Sequence, residues 1–548
     1  MIDPRQATLP SWNSTSGIPL KPYYSPDDLS DRAHDALSSA PGEAPYMRGP
    51  YPDMYRDRAW RIFQLSGYGD PTDMNARLKF LLKAGETGII IKHDRMTDDH
   101  LYDVDHPEIV ERREDVGLTG TVTVGLRDYE TILADLPLAD IYAKPGGGVV
   151  QSAPYTQSCY WSVALGRGIP LNRITGTGQS DFFLTYLGCI NKEQISPRDG
   201  MRFNLDIIEW CLEHMPHWVP VSIPGYNAAE SGLNSWEELG AVFANAIAYL
   251  DGMISRGFTD VSGFAHLLGG MNFRTTTDLF EDAAKFRIAR RMWHRVLTER
   301  YGVTDVRATK MRIHGLTAGS YMTYQEPLNN IVRGTVMAMA AILGGAQSLG
   351  VSGYDEALSI PSDHAHLMSI RIQQILQEET NLRAVADPLG GSYYVETLGD
   401  ELEDRAWGFV AEIEDRGGFI EVIDNGWLLQ RAEERSQEDA WRIRSGERQI
   451  VGVNAHPVDD PLMTVDGFEA HSGAVPWERA MERLKSLRET RDERASSDAL
   501  ANLVRVVGDP AANIVPAVMS AVQADVSIGE IGDVYRRVLG TWDPPLTV

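Results

Sequence analysis

The feature that most constrains the fold is a rhythm of short apolar segments that end in glycine or polar residues. Eight such segments lie at residues 87–94, 139–147, 173–181, 219–227, 260–270, 307–317, 346–356 and 384–394. Helical spacing of apolar residues separates most of them and is clearest at 278–302 and 329–345. Eight strands alternating with helices predict a (β/α)8 TIM barrel, an α/β fold with its active site at the carboxyl ends of the strands. A doubly wound open sheet is the alternative that this pattern leaves open.

The segments on either side of this rhythm differ in character. Residues 1–44 are rich in Pro, Ser, Asp and Gly, which predicts an extended N-terminal arm ahead of a barrel at 45–397. After residue 396 long charged segments with helical spacing follow. We therefore predict a C-terminal helical extension at 398–548 that docks a partner or a twin subunit.

Composition excludes several classes of protein. The chain has 548 residues and a net charge of -26, which argues against nucleic-acid binding and against anionic membrane surfaces. It has neither an apolar run long enough to span a membrane nor, in MIDPRQATLPSW, the pattern of a signal peptide. The spacing of Cys159, Cys189 and Cys211 fits neither a zinc site nor a disulfide framework. We expect a cytoplasmic protein without a metal-ligand set of its own.

Residues 46–69, YMRGPYPDMYRDRAWRIFQLSGYG, combine four arginines with six aromatic residues. In a chain this acidic, an anionic ligand must be held by a local cluster of cations of this kind. The alternative is that the arginines are ordinary surface residues, and this is what we expect for Arg56 and Arg61.

A set of motifs in a fixed order carries a family resemblance. The motifs are RGPYPDMY (48–55), GTGQSD (176–181), SIPGYNAAESG (222–232), NNIVR (329–333), GGAQSL (344–349), GYDEAL (353–358), VADPLGGSYYVE (385–396) and IVGVN (450–454). Together they resemble the large, substrate-binding subunit of adenosylcobalamin-dependent acyl-CoA mutases, the family of the methylmalonyl-CoA, isobutyryl-CoA and 2-hydroxyisobutyryl-CoA mutases. The resemblance implies a radical 1,2-rearrangement of an acyl-CoA carbon skeleton inside a barrel that is open along its axis.

The resemblance also implies roles for individual residues. Those matched to coenzyme A and the substrate channel are Tyr51, Met54, Arg58, Phe63, Lys144 and Cys189. Gln179 and Asn227 match polar contacts to the thioester carbonyl or its substituent, Leu65 shapes the acyl pocket, and Asp94 and Lys92 set the substituent preference. Residues matched to the adenosyl or corrin face are Gly67, His93, Thr119, Gly188, Gly319, Gln347 and Glu356, with Glu356 as the ribose ligand.

Departures from the family pattern bear on the substrate. Methylmalonyl-CoA mutases resemble this chain but have Arg where it has Cys189, Tyr where it has Leu65 and Arg where it has Phe63. A thiol and a phenyl ring cannot form the bidentate pair that a free carboxylate needs, so we predict that methylmalonyl-CoA is not the substrate. An aliphatic residue at position 65 resembles the 2-hydroxyisobutyryl-CoA enzymes.

The sequence positions of two lysines do not decide which chemical group the acyl substituent carries. If Lys92 and Lys144 both point inward, the acyl group carries a hydroxyl, a carboxylate or a larger acid. The alternative is that Lys92 pairs with Asp94 or Asp98, and that Lys144 lies in solvent in a glycine-rich loop.

The resemblance finally implies partners. No DxHxxG cobalt-binding motif follows the predicted barrel, where the only histidines are His456 and His471. We therefore expect a separate small cobalamin-binding subunit, a homodimer of large subunits within a heterotetramer, and a G-protein chaperone. The competing hypothesis is a catalytically silent barrel that binds acyl-CoA or the small subunit without turnover.

Overall fold

The computed structural model describes residues 12–146, 148–191, 193–458 and 474–545. Its centre is formed by eight parallel strands. They are β1 (Arg61–Ile62), β2 (Gly88–Ile90), β3 (Tyr142–Lys144), β4 (Thr175–Thr177), β5 (Trp218–Val219, resumed at Ile223–Pro224), β6 (Gly270–Thr275), β7 (Arg312–Thr317) and β8 (Ser348–Gly350).

The strands close into a barrel. Strands β2 to β5 form one ladder, and β5, β6, β7, β8 and β1 form the next, with β5 shared because its two halves pair with β4 and β6. At the remaining seam Thr87 N donates to Ile62 O at 3.0 Å and Lys92 N donates to Ser66 O at 2.8 Å. The predicted barrel is therefore confirmed, and the open sheet is excluded.

A helix follows each strand on the outside of the barrel. In order, these helices are Pro71–Ala84, Leu126–Ile132, Ala153–Gly166, Pro197–His214, Ser235–Ser255, Leu279–Arg295, Asn329–Leu343 and Asp363–Glu378. Local sequence fixes their ends: Asp70 accepts hydrogen bonds from the first-turn amides, Pro71 begins the first helix and Gly85 ends it at a φ of 112°. The helices predicted at 278–302 and 329–345 are confirmed.

Two predicted strands are wrong, and two strands, β1 and β6, were missed. Residues 260–270 contain the helix Val261–Leu268, and β6 starts only at Gly270. Residues 384–394 contain no strand and lead into a helix that begins at Tyr393. A short apolar run does not distinguish a strand from a buried helix by periodicity. The missed strand β1 is two residues long and includes Arg61, which faces a polar channel, so the apolar signal of a strand is absent there.

The N-terminal segment lies along the barrel. Trp12–Asn13 and Pro19–Leu20 form an antiparallel ribbon, followed by the helix Asp31–Ser38. Ser16 Oγ donates to Glu281 at 2.6 Å, and Arg32 forms ion pairs with Asp400 and Asp404. The arm is thus held by hydrogen bonds and charges to two outer helices, and the limit of 44 for it stays a prediction.

The C-terminal helices extend the core of the barrel. They are Tyr393–Asp415, Phe419–Asp424, Trp427–Arg444, Ala474–Thr490, Glu493–Val507, Val515–Gln523 and Ile528–Leu539. Phe409 belongs to the same buried cluster as Phe243 of the barrel, and Val518 to that of Trp161. The predicted boundary at 397 falls inside the first of these helices, whose apolar side packs on the barrel; a partner-docking role for the extension stays a prediction. In the described part of the chain, no helix is both long and apolar enough to cross a membrane.

Candidate active site

A channel of about 680 Å3 runs into the barrel from the amino ends of the strands. Successive side chains of a strand face opposite sides, so alternate residues of each strand line the barrel interior. Strand residues and their neighbours in the channel wall are Arg61, Phe63, Ile90, Tyr142, Lys144, Thr175, Thr177, Ser222, Asn272, Arg312, His314 and Ser348. The interior is therefore open, as the resemblance implies, and its wall mixes polar with apolar side chains, which differs from the apolar filling that most barrels of this fold have.

The entrance of the channel has an excess of positive charge, with three arginines beside the acids Asp53 and Asp57. Arg58, Arg61 and Arg312 line it, and the Arg61 guanidinium lies 4.7 Å from the centre of the Tyr142 ring. Burial lowers the pKa of Arg61, and the nearby charges of Arg58 and Arg312 lower it further. Among the described residues none of the three arginines forms an ion pair with a carboxylate. This entrance suits a phosphate-bearing ligand, since guanidinium groups bind phosphate oxygens in pairs.

Residues of the segment 46–69 differ in whether they line the channel entrance. Tyr51, Met54 and Arg58 line the channel, where the coenzyme A assignment requires them, although their role stays a prediction. Arg56 is exposed and does not line it, as expected. Arg61 does line it, so the expectation that it is an ordinary surface residue is wrong. Its spacing of two from Phe63 on the same strand was the available signal.

The assignment of Gln347 to the cofactor face is wrong. This residue immediately precedes β8, at the amino end of the barrel, and lines the channel there. Its side chain accepts a hydrogen bond from Ile313 N at 2.8 Å and donates one to Gly345 O at 2.7 Å. The length of the barrel separates it from Glu356, which follows the carboxyl end of the same strand.

An uncharged aromatic band forms the middle of the channel. Phe63 stacks on Tyr142 with ring centres 5.4 Å apart and lies 6.1 Å from the ring of His314. Burial, helped by the charge of Lys144, lowers the pKa of His314 to about 3, so its ring is neutral and hydrogen-bonds Ser348 Oγ at 2.8 Å. Sequence patterns did not indicate His314 or Tyr142, because no motif contains them.

Lys144 is the cation at the inner end of the channel. Burial lowers its pKa to about 8, an effect that Asp181 opposes and Lys92 adds to. Lys92 lies one inward step beyond Ile90 on the neighbouring strand, but it does not line the channel, and its Nζ donates to His93 O at 2.8 Å. Of the two lysines, Lys144 therefore has the more direct access to a ligand.

Asp181 joins the two predicted substrate amides. It is fully buried, and burial raises its pKa to about 6. Asn227 Nδ2 donates to its Oδ2, and Gln179 Nε2 lies 3.4 Å from the same oxygen. Leu184 N donates to the other carboxylate oxygen at 2.9 Å. The structure thus brings Gln179 and Asn227 together around the acid that ends the motif GTGQSD.

Asp94 is a structural residue, and its predicted role in substituent preference is wrong. Its carboxylate accepts hydrogen bonds from Thr97 N at 3.1 Å, from Gly117 N at 3.0 Å and from Thr119 Oγ1 at 3.2 Å. Both oxygens are engaged within the loop after β2, and the residue is fully buried outside the channel wall. Burial raises its pKa to about 6. Thr119 is itself exposed at the barrel face.

His93 is also misassigned to the cofactor face. Its side chain is only 1% exposed, and its Nε2 lies 3.0 Å from Pro145 O and 2.8 Å from the Tyr129 hydroxyl. Burial lowers its pKa to about 4, which keeps the ring neutral. Strand alternation turns His93 outward when Lys92 faces inward, so both could not reach the barrel interior.

Cys189 has a guanidinium beside it that sequence analysis missed. Arg95 Nη2 donates to Cys189 Sγ at 2.7 Å, and Arg95 Nε donates to Asp99 at 3.1 Å. Burial raises the pKa of Cys189 to about 12, so the thiol is neutral. Arg95 comes from the loop after β2, and no spacing relates it to position 189.

The carboxyl ends of the strands offer a surface that fits adenosylcobalamin. Leu65 is 50% exposed and Gly188 is exposed, so both are accessible to a ligand at this face. A Cβ atom on Gly319 would lie 2.9 Å from Glu356 Oε1, so glycine there leaves the space in front of the carboxylate free. Burial raises the pKa of Glu356 to about 7, with a smaller contribution from Glu230. A carboxylate in this position suits the hydroxyls of a ribose.

Gly67 is needed for a different reason from the one the resemblance implies. A Cβ atom at this position would lie 1.9 Å from Lys92 O, because the chain after β1 runs directly against β2. Such a contact excludes any side chain. Close packing of the protein backbone therefore explains this glycine without a ligand.

A parallel barrel with a polar axial channel, a cationic entrance and an acid at the opposite face defines the architecture of an acyl-CoA mutase. The chain belongs to the methylmalonyl-CoA mutase family, whose model matches residues 13–541. Acyl-CoA mutases of this cobalamin-dependent family are isomerases, and the chain is therefore an enzyme of this class.

The relatives differ in the substrate for which they are named. The chain is 34% identical over 532 residues to the 2-hydroxyisobutanoyl-CoA mutase large subunit of Aquincola tertiaricarbonis, which covers 97% of this chain and 92% of that protein. It is 34% identical over 541 residues to the methylmalonyl-CoA mutase of Cereibacter sphaeroides, covering 97% of this chain and 73% of the relative. It is 31% identical over 540 residues to the human mitochondrial methylmalonyl-CoA mutase, covering 96% and 68%.

Proposed function

We propose that this chain is the substrate-binding large subunit of an adenosylcobalamin-dependent mutase for a branched or hydroxylated short acyl-CoA, of the 2-hydroxyisobutyryl-CoA/3-hydroxybutyryl-CoA type. The observation that carries the proposal is the axial channel, which has at its entrance three arginines that form no ion pair with a described residue and has Lys144 at its inner end. Family membership supplies the reaction class.

Coenzyme A would bind with its phosphates at Arg58, Arg61 and Arg312. Its pantetheine arm would follow the small polar side chains of the channel wall, such as Thr175 and Thr177. In this pose the thioester reaches the inner end of the channel, next to Gln179, which lies two residues beyond Thr177 of the wall, and Asn227, which shares the acid Asp181 with Gln179. Anchoring at the distant phosphates orients the acyl group for reaction.

Methylmalonyl-CoA is excluded from the proposal by the inner wall. Phe63 lines the channel with an uncharged ring, and Leu65 offers no phenol to a carboxylate. The guanidinium of Arg95 is already paired with Asp99, so a substrate carboxylate would compete with an existing partner. An uncharged or hydroxylated branched acyl group has no such conflict.

Adenosylcobalamin, when bound, supplies the radical chemistry of the rearrangement. Glu356 would hold the ribose, with Gly319, Gly188, Thr119 and Leu65 along the same face. The enclosed channel would exclude water from the acyl group. A separate small subunit with a DxHxxG motif would ligate cobalt, in a heterotetramer served by a G-protein chaperone in the cytoplasm.

A second candidate is a mutase for an acyl-CoA that bears another acidic group. Lys144 and Lys92 favour it, because two ammonium groups on neighbouring strands at the inner end of the barrel attract an anion.

An assay of the chain with its cognate small subunit and adenosylcobalamin tests these proposals. We expect turnover of 2-hydroxyisobutyryl- or 3-hydroxybutyryl-CoA, and no turnover of methylmalonyl-CoA. Lys144→Ala and Lys92→Ala form a matched pair: the first should change the substrate preference more than the second. Leu65→Tyr should lower kcat/KM for the branched substrate by about 10-fold or more, because the phenol crowds the acyl group.

Each outcome has a consequence. Turnover of a dicarboxylic acyl-CoA in preference to a hydroxylated one would favour the second candidate. Absence of both turnover and a cob(II)alamin radical signal with every thioester would leave a catalytically silent barrel.

A further inference from the structure

We propose that Asp181 fixes the direction of the Gln179 and Asn227 side-chain amides, and that this makes the inner end of the channel a site selective for a hydroxyl group. The inference rests on the proposed function and decides between its two substrate classes. Asp181 is a positioning residue in this proposal, since it acts through the two amides.

The direction of the amides follows from the chemistry of their shared partner. An ionised carboxylate only accepts hydrogen bonds, whereas an amide has a donating and an accepting end. Asn227 Nδ2 and Gln179 Nε2 both face Asp181 Oδ2, the second at 3.4 Å. Their carbonyl oxygens consequently point away from the acid. Asp181 has no exposed surface, so bulk water does not compete for the carboxylate.

The backbone holds Asp181 and Gln179 in place. Leu184 N donates to Asp181 Oδ1 at 2.9 Å, which stops the carboxylate from turning. Ser222 N donates to Gln179 O at 3.1 Å, which ties the end of β4 to β5. Gln179 lies two residues beyond Thr177 and so shares its inward face, at the inner end of the channel.

The resulting site offers both hydrogen-bond acceptors and donors. The acceptors are the amide oxygens of Gln179 and Asn227, and the donors are the ammonium group of Lys144 in the channel wall and the second N–H of each amide. A hydroxyl group both donates and accepts, so it satisfies both kinds of partner. A carboxylate only accepts and would face the amide oxygens unfavourably, whereas a methyl group leaves all partners unsatisfied.

Binding of two matched thioesters tests the proposal on the full chain without cofactor, where no turnover occurs. Isothermal titration calorimetry would compare 2-hydroxyisobutyryl-CoA with isobutyryl-CoA, which differ by one hydroxyl. We expect the wild type to prefer the hydroxylated thioester by about tenfold or more, since a site built for a hydroxyl rejects the analogue that lacks it. Asp181→Asn should reduce the preference to below about threefold, because asparagine also donates and lets either amide turn.

Matched variants separate this role from a general loss of structure. Asp94→Asn removes a fully buried acid in the loop after β2 whose partners are in that loop, and it should keep the hydroxyl preference. Asp181→Glu keeps an acceptor-only carboxylate and should retain the preference better than Asp181→Asn. If Asp181→Asn does not fold, Asn227→Leu decides: removal of this amide should reduce the preference at least threefold.

The outcomes are distinct for the two proposals. Full hydroxyl preference in a folded Asp181→Asn, or equal binding of both thioesters by the wild type, overturns the role of Asp181. Failure of the wild type to bind either thioester overturns the proposed function as well. A dicarboxylic thioester that binds more tightly than the hydroxylated one overturns the hydroxyl site while leaving an acyl-CoA enzyme.

Discussion

Arginines in two regions of the molecule have opposite surroundings. On the outer helix Leu279–Arg295, Arg291 is 3% exposed and pairs with Asp400 at 2.6 Å and with Glu403. At the channel entrance, Arg61 and Arg312 have no carboxylate partner within the described part of the chain. Both regions place cations in or near the interior, but only the first compensates their charge. Arginines that pair with a carboxylate hold helices together, whereas arginines without such a partner are available to bind an anionic ligand.

The uncompensated region carries an electrostatic cost. Burial and two neighbouring guanidinium groups lower the pKa of Arg61, which means that its charged form is disfavoured in the empty channel. An anion that enters the channel removes this cost. Binding energy and stability are thus opposed at the entrance, as is common for functional sites.

The largest effect that the comparison predicts is on stability. Arg291→Met should lower the free energy of unfolding by about 3–5 kcal/mol, because it removes the buried cation that Asp400 and Glu403 share and leaves them only the partly exposed Arg32 and Arg295. Urea denaturation followed by circular dichroism measures this change. A loss below about 1 kcal/mol would show that the pair is not coupled to the fold.

A channel arginine should show the reverse pattern. Arg61→Met should weaken coenzyme A binding by about 10- to 100-fold, since a hydrogen bond to a charged group contributes about 1.5–3 kcal/mol. The unfolding free energy should stay the same or rise, because a disfavoured charge is removed. Calorimetric titration with coenzyme A at low and high salt checks both affinity and its expected decrease with ionic strength. Unchanged affinity for coenzyme A together with a lower free energy of unfolding would show that Arg61 is a structural residue like Arg291.

The acid at the opposite end of the barrel gives a pH-dependent effect of intermediate size. The pKa of Glu356 is about 7 in the folded chain, above its ordinary value, so between the two values the folded state retains a proton that the unfolded state has released. The contribution of Glu356 to stability therefore falls as pH rises towards 7. Glu356→Gln should remove this fall and make the chain more stable above pH 7 by up to roughly 3 kcal/mol. Thermal unfolding across this pH range measures it, and parallel curves for both proteins would contradict the prediction.

The smallest effect concerns a paired arginine at the surface. Arg405 and Glu401 form an ion pair at 2.8 Å along one helix, with both side chains at least a third exposed. Arg405→Met should cost about 0.3–0.5 kcal/mol, because solvent screens the pair. Measured beside Arg291→Met, it separates the effect of burial from the effect of pairing. Equal losses in the two variants would show that burial is unimportant here.

Sequence patterns predicted the barrel and much of its site, but they failed where contacts between distant segments decide. The ordered motifs led to Glu356 and to the Gln179–Asn227 pair, which lie where the proposed function needs them. They failed for Gln347, which lies at the amino end of its strand, and for His93, which strand alternation turns outward. Asp94 resembled a substrate ligand because it is an acid that follows a strand. Its carboxylate instead accepts hydrogen bonds from amides and a hydroxyl of its own loop.

The sequence by itself determined the class of the fold, the order of its helices and the membership of the family, because these follow from local periodicity and from motifs along one chain. Only the tertiary structure decided which charges are compensated and which are free. Asn227 meets Asp181 across 46 positions, and Arg291 meets Asp400 across 109. Compensation of a charge depends on distance in space and on exclusion of water, and spacing along a chain carries no information on either.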